Sequence, residues 1–273
     1  MAGVDETTQL TIGLLHPGEM GAAVGQCLVT AGHTVLWASA GRSQDTAARA
    51  RDAGLTDAGT IEAVASRASV IFSICPPHAA RDVATSVRGF TGRYVDANAI
   101  APATASSVAD LITAGGGRYV DGGIIGPPPA QPGSTRLYLS GPHADLIQQL
   151  FAGSALDART VEAGPFSASS VKMAYAAWTK GSAALLLTAR ALAEAEGVSA
   201  ALLAEWALSG PGLTDRLAGA EQSAVKKGWR WVAEMEEIAA TMTAAGLPGG
   251  FHEAAAEVYR RYPLPESEAN PGS

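Results

Sequence analysis

Residues 11–28 read TIGLLHPGEMGAAVGQCL. The short apolar run Leu10–Leu15 has the character of a buried strand. Ala22–Ala31 has a helical pattern and stops at Gly32, a suitable C-cap. Between them lies a turn with glycine at 13, 18 and 21. A glycine turn that leads from a strand into a helix suits a dinucleotide's pyrophosphate. Gly18 lets a phosphate approach the backbone, and Gly21 lets the helix pack closely on the sheet. The exposed N–H groups and the helix dipole then hold the anion. His16 stands where the usual G-x-G-x-x-G has its first glycine. Gly13, His16, Pro17, Gly18, Glu19 and Met20 are the expected cofactor contacts of this turn.

Outward from the turn, short apolar strands alternate with helices. Strands are expected at Thr34–Trp37, Val70–Ile74, Tyr94–Asp96, Arg118–Ile125 and Thr135–Ser140, with an edge piece at Gly54–Ala58. Helices are expected at Asp45–Ala53, Ile61–Arg67, Ala79–Val87, Ala101–Ala114 and Ala144–Leu150. Such alternation implies parallel βαβ units. The pattern runs to about residue 163. From Pro165 onward only helices are expected. They are Ser167–Glu196, Ala200–Ser209 with Ser199 as N-cap, Thr214–Lys227, Trp229–Ala245 and Gly250–Tyr262. The expected fold class is α/β: an N-terminal Rossmann domain (1–163), then an all-α domain (164–262). The polar, Pro-rich tail 263–273 is expected to be disordered.

The chain has 273 residues, 47% hydrophobic and 16% charged, with a formal net charge of −7. That balance argues against non-specific nucleic-acid binding. Two cysteines, Cys27 and Cys75, have no zinc spacing and suit a reducing, cytoplasmic setting. The first residues carry acids and no apolar signal core. No apolar run reaches the length of a membrane span. HEAAAE (252–257) lacks the second histidine of a zinc helix, so no metal is expected.

The segment after the second strand bears on the choice of cofactor. An NAD site usually carries an acid there for the ribose 2′-hydroxyl. LWASAGRS (36–43) has none. It offers Ser39, Arg42 and Ser43, which suit a 2′-phosphate. NADP(H) is the expected cofactor.

Taken together, these residues resemble the β-hydroxyacid dehydrogenase superfamily, which includes 6-phosphogluconate dehydrogenase and the imine reductases. The resemblance covers about residues 10–262. Gly13, Gly18, Met20 and Gly21 match the family's glycine motif. SICPPHAA (73–80) matches its cofactor-bordering loop, which implies contacts from Cys75, Pro76 and Pro77. VDANAIAP (95–102) is similar to the family's V-D-x-S-T-x-x-P beside the nicotinamide, with Asn98 at the first hydroxyl position. The family's catalytic lysine falls on Lys172, in SASSVKMAYAAWTKG (167–181). The resemblance also implies a homodimer formed through the helical domain.

The substrate end departs from the family. Its D-A-P-V-S-G-G loop is DGGIIGPPP (121–129) here. Ile125 replaces the serine, Pro127 replaces the last glycine, and Ala176 replaces an asparagine. Proline has no N–H, so this loop lacks the donors that a carboxylate needs. The expected substrate is a small ketone or imine rather than a simple hydroxy acid. Lys172, losing solvation, would exchange a proton near neutral pH. Tyr175 and Thr179 share its helical face. Tyr175 is a candidate for donating or relaying that proton. Ile124, Ile125, Gly126, Thr179, Trp231 and Met235 are the expected substrate contacts. Two rival readings are an imine reductase specifically, and an NADP-binding sensor or scaffold without redox turnover.

Overall fold

The computed structural model describes residues 9–263. The tail expected over 263–273 lies almost wholly outside them. The described chain divides into two compact units, with the boundary between Lys172 and Met173.

The first unit is built on one eight-stranded sheet. Its strands are β1 (Thr11–Leu14), β2 (Thr34–Trp37), β3 (Thr56–Asp57), β4 (Val70–Ser73), β5 (Arg93–Asp96), β6 (Arg118–Ile125), β7 (Thr135–Ser140) and β8 (Leu156–Thr160). The spatial order is β3-β2-β1-β4-β5-β6-β7-β8. Its helices are α1 (Glu19–Thr30), α2 (Gln44–Asp52), α3 (Ile61–Arg67), α4 (Ala80–Ser86), α5 (Pro102–Ala114) and α6 (Ala144–Gln149), with a 3₁₀ turn at Pro77–Ala79.

Strand alternation sorts the core into two layers. Val35 and Trp37 face one layer with Val24 and Leu28 of α1 and Ile147 of α6. Leu36 faces the other with Val64 of α3 and Val108 of α5. Val70 and Phe72 likewise fall in the first layer, and Ile71 in the second. Helices therefore cover both faces, as a parallel sheet requires.

Three expectations need correction in this unit. The β6–β7 pair is antiparallel, whereas the other pairs are parallel. The connection between them carries no helix, so no crossover returns the chain to the starting end of the sheet. β8 is an additional strand. Its sequence LDART has one buried residue, Leu156, and shows no apolar run. The turn after β4 is 3₁₀ before it becomes α4.

The second unit holds most of α7 (Ser167–Ala195), then α8 (Ser199–Ser209), α9 (Leu213–Ala244) and α10 (Gly250–Arg260). No strand occurs here among the described residues. Two expectations fail. The helices expected at 214–227 and 229–245 are one continuous helix, α9. Gly228 does not break it. A Cβ at Gly228 would lie 2.9 Å from Tyr262 Cβ, so this glycine makes room for an aromatic neighbour. Ser199 is not an N-cap. It is the first residue of α8, and its hydroxyl accepts from Arg190 Nη1 at 2.6 Å. Trp231 stacks edge-on against Tyr259, with centroids 5.1 Å apart, joining α9 to α10. No helix among the described residues is long and apolar enough to cross a membrane.

Candidate active site

The glycine turn uses its three glycines for three different purposes. Gly13 lies inside β1, where a Cβ would fall 2.6 Å from Val64 Cγ1 of α3. Its missing side chain makes room for packing rather than for a ligand. A Cβ at Gly21 would fall 2.1 Å from the His16 carbonyl oxygen, so only glycine lets α1 start here. Gly18 is the N-cap of α1 with φ −68°, and a Cβ there would meet nothing within 4 Å. No side chain caps α1. Gly18 therefore faces open space at the positive end of a twelve-residue helix.

Two guanidinium groups flank this turn. Arg42 Nη2 donates to Leu15 O at 3.2 Å, and Arg49 Nε to Pro17 O at 3.5 Å. Arg49 Nη2 also reaches Thr46 Oγ1 at 3.0 Å. Neither arginine has a carboxylate partner among the described residues. The sequence reading named Arg42 and missed Arg49. The signal lay in the spacing of α2, where Arg49 sits one helical turn after Thr46. His16 is held to about 4 by burial and then by the charge of Arg42, so its ring is neutral. Its Nδ1 is buried without a partner among the described residues. Pro17 is buried and Met20 half-buried, while Glu19 is exposed.

The two predicted serines are already engaged. Ser43 is the N-cap of α2 and accepts from Thr46 N–H at 3.3 Å. Ser39 is hydrogen-bonded to Asp57, whose carboxyl is pulled down first by the Gly59 N–H and then by Ser39. An uncapped helix start, two arginines without acidic partners and an orphaned buried nitrogen fit an anionic, phosphate-bearing cofactor.

The loop after β4 is tied to the loop after β5. Asn98 is buried. Its Oδ1 accepts from Cys75 N–H at 2.6 Å, and its Nδ2 donates to Ser73 Oγ at 3.1 Å. Asn98 is thus a staple between two loops. Burial pushes the Cys75 thiol up to about 12, so it is no thiolate. Pro76 and Pro77 start the 3₁₀ turn.

β6 supplies the other half of the first unit's candidate site. Gly122 and Gly123 lie inside this strand, as the strand expected over Arg118–Ile125 has them. A Cβ at Gly123 would fall 2.7 Å from Ala168 O and 3.0 Å from Lys172 Cβ. Gly123 thus lets the first turns of α7 rest on the strand. Lys172 is on those turns. Desolvation by burial lowers it to about 8, and it has no hydrogen-bond or ion-pair partner among the described residues. Asp121 shares the Gly123 face of β6 and holds Ser169. Asp96 lies in register with Asp121 on the next strand, and burial pushes its carboxyl up to about 7.

The expected substrate residues separate. Ile124 packs in the first core layer. Ile125 is buried on the Gly123 side of β6 by alternation. Gly126 has φ +127°, and a Cβ there would fall 2.4 Å from Ser134 O, so it serves the turn out of β6. The Pro127 carbonyl accepts from the Thr135 hydroxyl, and Pro127, Pro128 and Pro129 have no N–H to donate.

In the second unit, Thr179 and Trp231 line one groove of about 450 Å³ with Trp178, Lys180, Arg216 and Ser223. Met235 does not join them. It is fully buried in α9, as are Ile238 and Ala239, which corrects its expected role as a substrate contact. Lys180 pairs with Glu234 and lies 5.4 Å from the Trp231 ring centroid. Tyr175 is 47% exposed, and its carbonyl accepts from the Thr179 hydroxyl. A larger concavity of about 830 Å³ in the first unit, lined by Asp145, Gln148, Phe151 and Asp157 among others, contains none of the expected site residues.

Comparison with known proteins bears on the fold. Residues 11–95 match the family described as NADP oxidoreductase coenzyme F420-dependent. Residues 193–262 match a domain of unknown function, DUF1932. No curated protein matches the sequence. Among solved structures, one is a conserved protein of unknown function, described as structurally similar to 3-hydroxyacid dehydrogenases. It is 26% identical, with 97% of this chain and 100% of that chain covered, at a TM-score of 0.67. A 3-hydroxyisobutyrate dehydrogenase from Salmonella typhimurium is 17% identical, covering 97% and 96%, at 0.72. A reductive aminase from Aspergillus terreus, in complex with NADPH and ethyl levulinate, is 20% identical, covering 97% and 96%, at 0.59. Fold and family match together define the class: residues 11–95 carry an NADP oxidoreductase match, and the chain has the fold of the 3-hydroxyacid dehydrogenases, which it shares with the reductive aminase. The C-terminal helices carry the DUF1932 match.

Proposed function

We propose that the chain is an NADPH-dependent reductase of a small ketone or imine, or in the reverse direction an NADP+-dependent dehydrogenase of the corresponding alcohol, with Lys172 as the proton donor in reduction. The observation that carries this reading is Lys172 itself. It lies against Gly123 without an ionic partner among the described residues, and its ammonium is held at about 8 by burial. A lysine so placed holds a proton at neutral pH and gives it up readily.

When bound, the reduced nicotinamide supplies hydride. The start of α1 at Gly18 would hold the pyrophosphate. Arg42, joined by Arg49, would hold the 2′-phosphate. Lys172 Nζ would deliver its proton to the alkoxide oxygen or amide nitrogen that forms on reduction. Pro127–Pro129 and Ile125 favour an uncharged reacting group, and among such groups an imine is the narrower reading. Exposed Trp178, Leu185, Leu192, Leu208 and Val225 support pairing of two copies through the helical unit. The two free thiols suit a reducing cytoplasm.

The test follows NADPH oxidation against cyclic imines, ketones and 3-oxo acids. Turnover on an imine or ketone is expected, with kcat/KM falling as pH rises through about 8, where Lys172 loses its proton. Lys172→Ala should lose roughly 10²–10⁴ in kcat with NADPH affinity unchanged. Tight NADPH binding with no turnover on any compound would establish the sensor reading instead.

A further inference from the structure

We propose that Asp121 is a positioning residue for Lys172, acting through Ser169 and Ser140 at the start of α7. The proposal rests on the role given to Lys172 above.

A helix leaves its first four N–H groups without partners inside the helix. In α7 all four are accounted for. Ser167 N–H donates to Gly164 O at 3.4 Å, and Ser170 N–H to Phe166 O at 3.1 Å. Ala168 N–H donates to Ser140 Oγ at 3.0 Å, and Ser169 N–H to Asp121 Oδ2 at 2.8 Å. The Ser169 hydroxyl adds a bond to Asp121 Oδ1 at 2.5 Å. The Ser140 hydroxyl lies 3.0 Å from Asp121 Oδ2 and 3.2 Å from Pro165 O, and one of these takes its proton. Two side chains, one from β6 and one from β7, therefore cap a helix 48 and 28 residues further on, respectively. Every bond drawn to Asp121 is one that a carboxylate accepts, and a helix start favours an anion.

The cap fixes the lysine by geometry. Ser169 and Lys172 are three residues apart and share a helical face. Asp121 and Gly123 are two residues apart and share a sheet face. Asp121 meets Ser169, and Gly123 meets Lys172. Two points on the strand thus engage two points on the helix. A slip or turn of α7 would move Lys172 off Gly123. No polar group among the described residues holds the Lys172 ammonium, so its place is inherited from this cap.

The chain has only four lysines, at 172, 180, 226 and 227. Reductive ¹³C-methylation of the full chain therefore gives few resonances, and Lys172→Ala identifies the one of interest. In wild type it should titrate near 8. Asp121→Asn should move the midpoint up towards the ordinary lysine range. It should lower kcat by roughly tenfold to a hundredfold on any panel substrate that reacts, with KM within about twofold. Ser169→Ala should shift the midpoint the same way by less. Ile147→Ala, which opens the core at α6, should lower Tm without moving the midpoint. A folded Asp121→Asn with an unmoved Lys172 midpoint overturns the proposal. If that variant does not fold, an unmoved midpoint in Ser169→Ala overturns it. An equal shift in Ile147→Ala at equal loss of Tm also overturns it. Absence of turnover across the panel would defeat the reductase reading, while the titration still decides the positioning role.

Discussion

The start of α1 and the start of α7 present the same backbone groups in opposite conditions. No side chain caps α1, and its N-cap glycine faces open space. The start of α7 is closed, because Asp121, Ser140, Gly164 and Phe166 account for its first four N–H groups. Helix dipole and orphan donors favour an anion at both places. At α7 the protein supplies the anion itself, from a buried strand, and gains a fixed helix. At α1 no side chain caps the helix, Glu19 of its first turn is exposed, and two arginines stand beside the open start. An open start is a site for a ligand's phosphate. A closed one is an anchor for a side chain further along the helix.

Breaking the glycines of α1 should produce the largest effects. Gly21→Ala places a methyl group 2.1 Å from a backbone carbonyl. It should cost at least about 1–3 kcal/mol of stability and abolish cofactor binding, read by thermal melts and calorimetry. Arg42→Ala should weaken NADPH binding by roughly tenfold to a hundredfold, leaving NADH affinity unchanged. Arg49→Ala should act in the same direction but by less than about tenfold, because Arg49 makes the longer of the two contacts with the turn. A ratio of NADPH to NADH affinity unmoved by either change would remove both arginines from the phosphate site.

The smallest effect expected concerns Asp96, the register partner of Asp121. Its folded carboxyl is raised to about 7 from the usual 3.8. An unfolded chain gives up this proton near pH 4, the folded chain near pH 7. Stability from this group is therefore present below about 4 and is lost as pH rises through about 7. Tm of the wild type should fall across that window. Asp96→Asn, with no proton to lose, should flatten the fall. An equally steep fall in the variant would assign it to other groups.

Much of the first unit was legible in the sequence because strand alternation and glycine turns are local signals. TIGLL, TVLW and VIFS each carry their burial in their own residues. The strand-to-helix turn before α1 was legible for the same reason, since strand, glycines and helix lie within eighteen residues. What escaped depends on distant partners. Nothing local marks Gly228 as a packing glycine rather than a break, because Tyr262 decides it. Nothing near Asp121 announces Ser169, 48 residues away. The antiparallel β7 and the short β8 are settled by the sheet edge they join, and LDART has too little apolar character to declare itself. At the site, Lys172 came from resemblance and its setting from the structure. Met235 shares a face with Trp231 yet is fully buried, a difference in depth that helical spacing does not express.

Paired calorimetric titrations of NADPH and NADH into wild type and Gly18→Ala test the open start of α1 most directly. Gly18 has an ordinary φ of −68° and empty space where its Cβ would go, so the alanine variant should melt within about 0.5 kcal/mol of wild type. Wild type should bind NADPH at least about tenfold more tightly than NADH. Gly18→Ala should weaken NADPH by a similar factor, because the methyl group would fill the place of the phosphate. NADH binding at least as tightly as NADPH, or full NADPH affinity in an equally stable Gly18→Ala, would contradict this reading of α1.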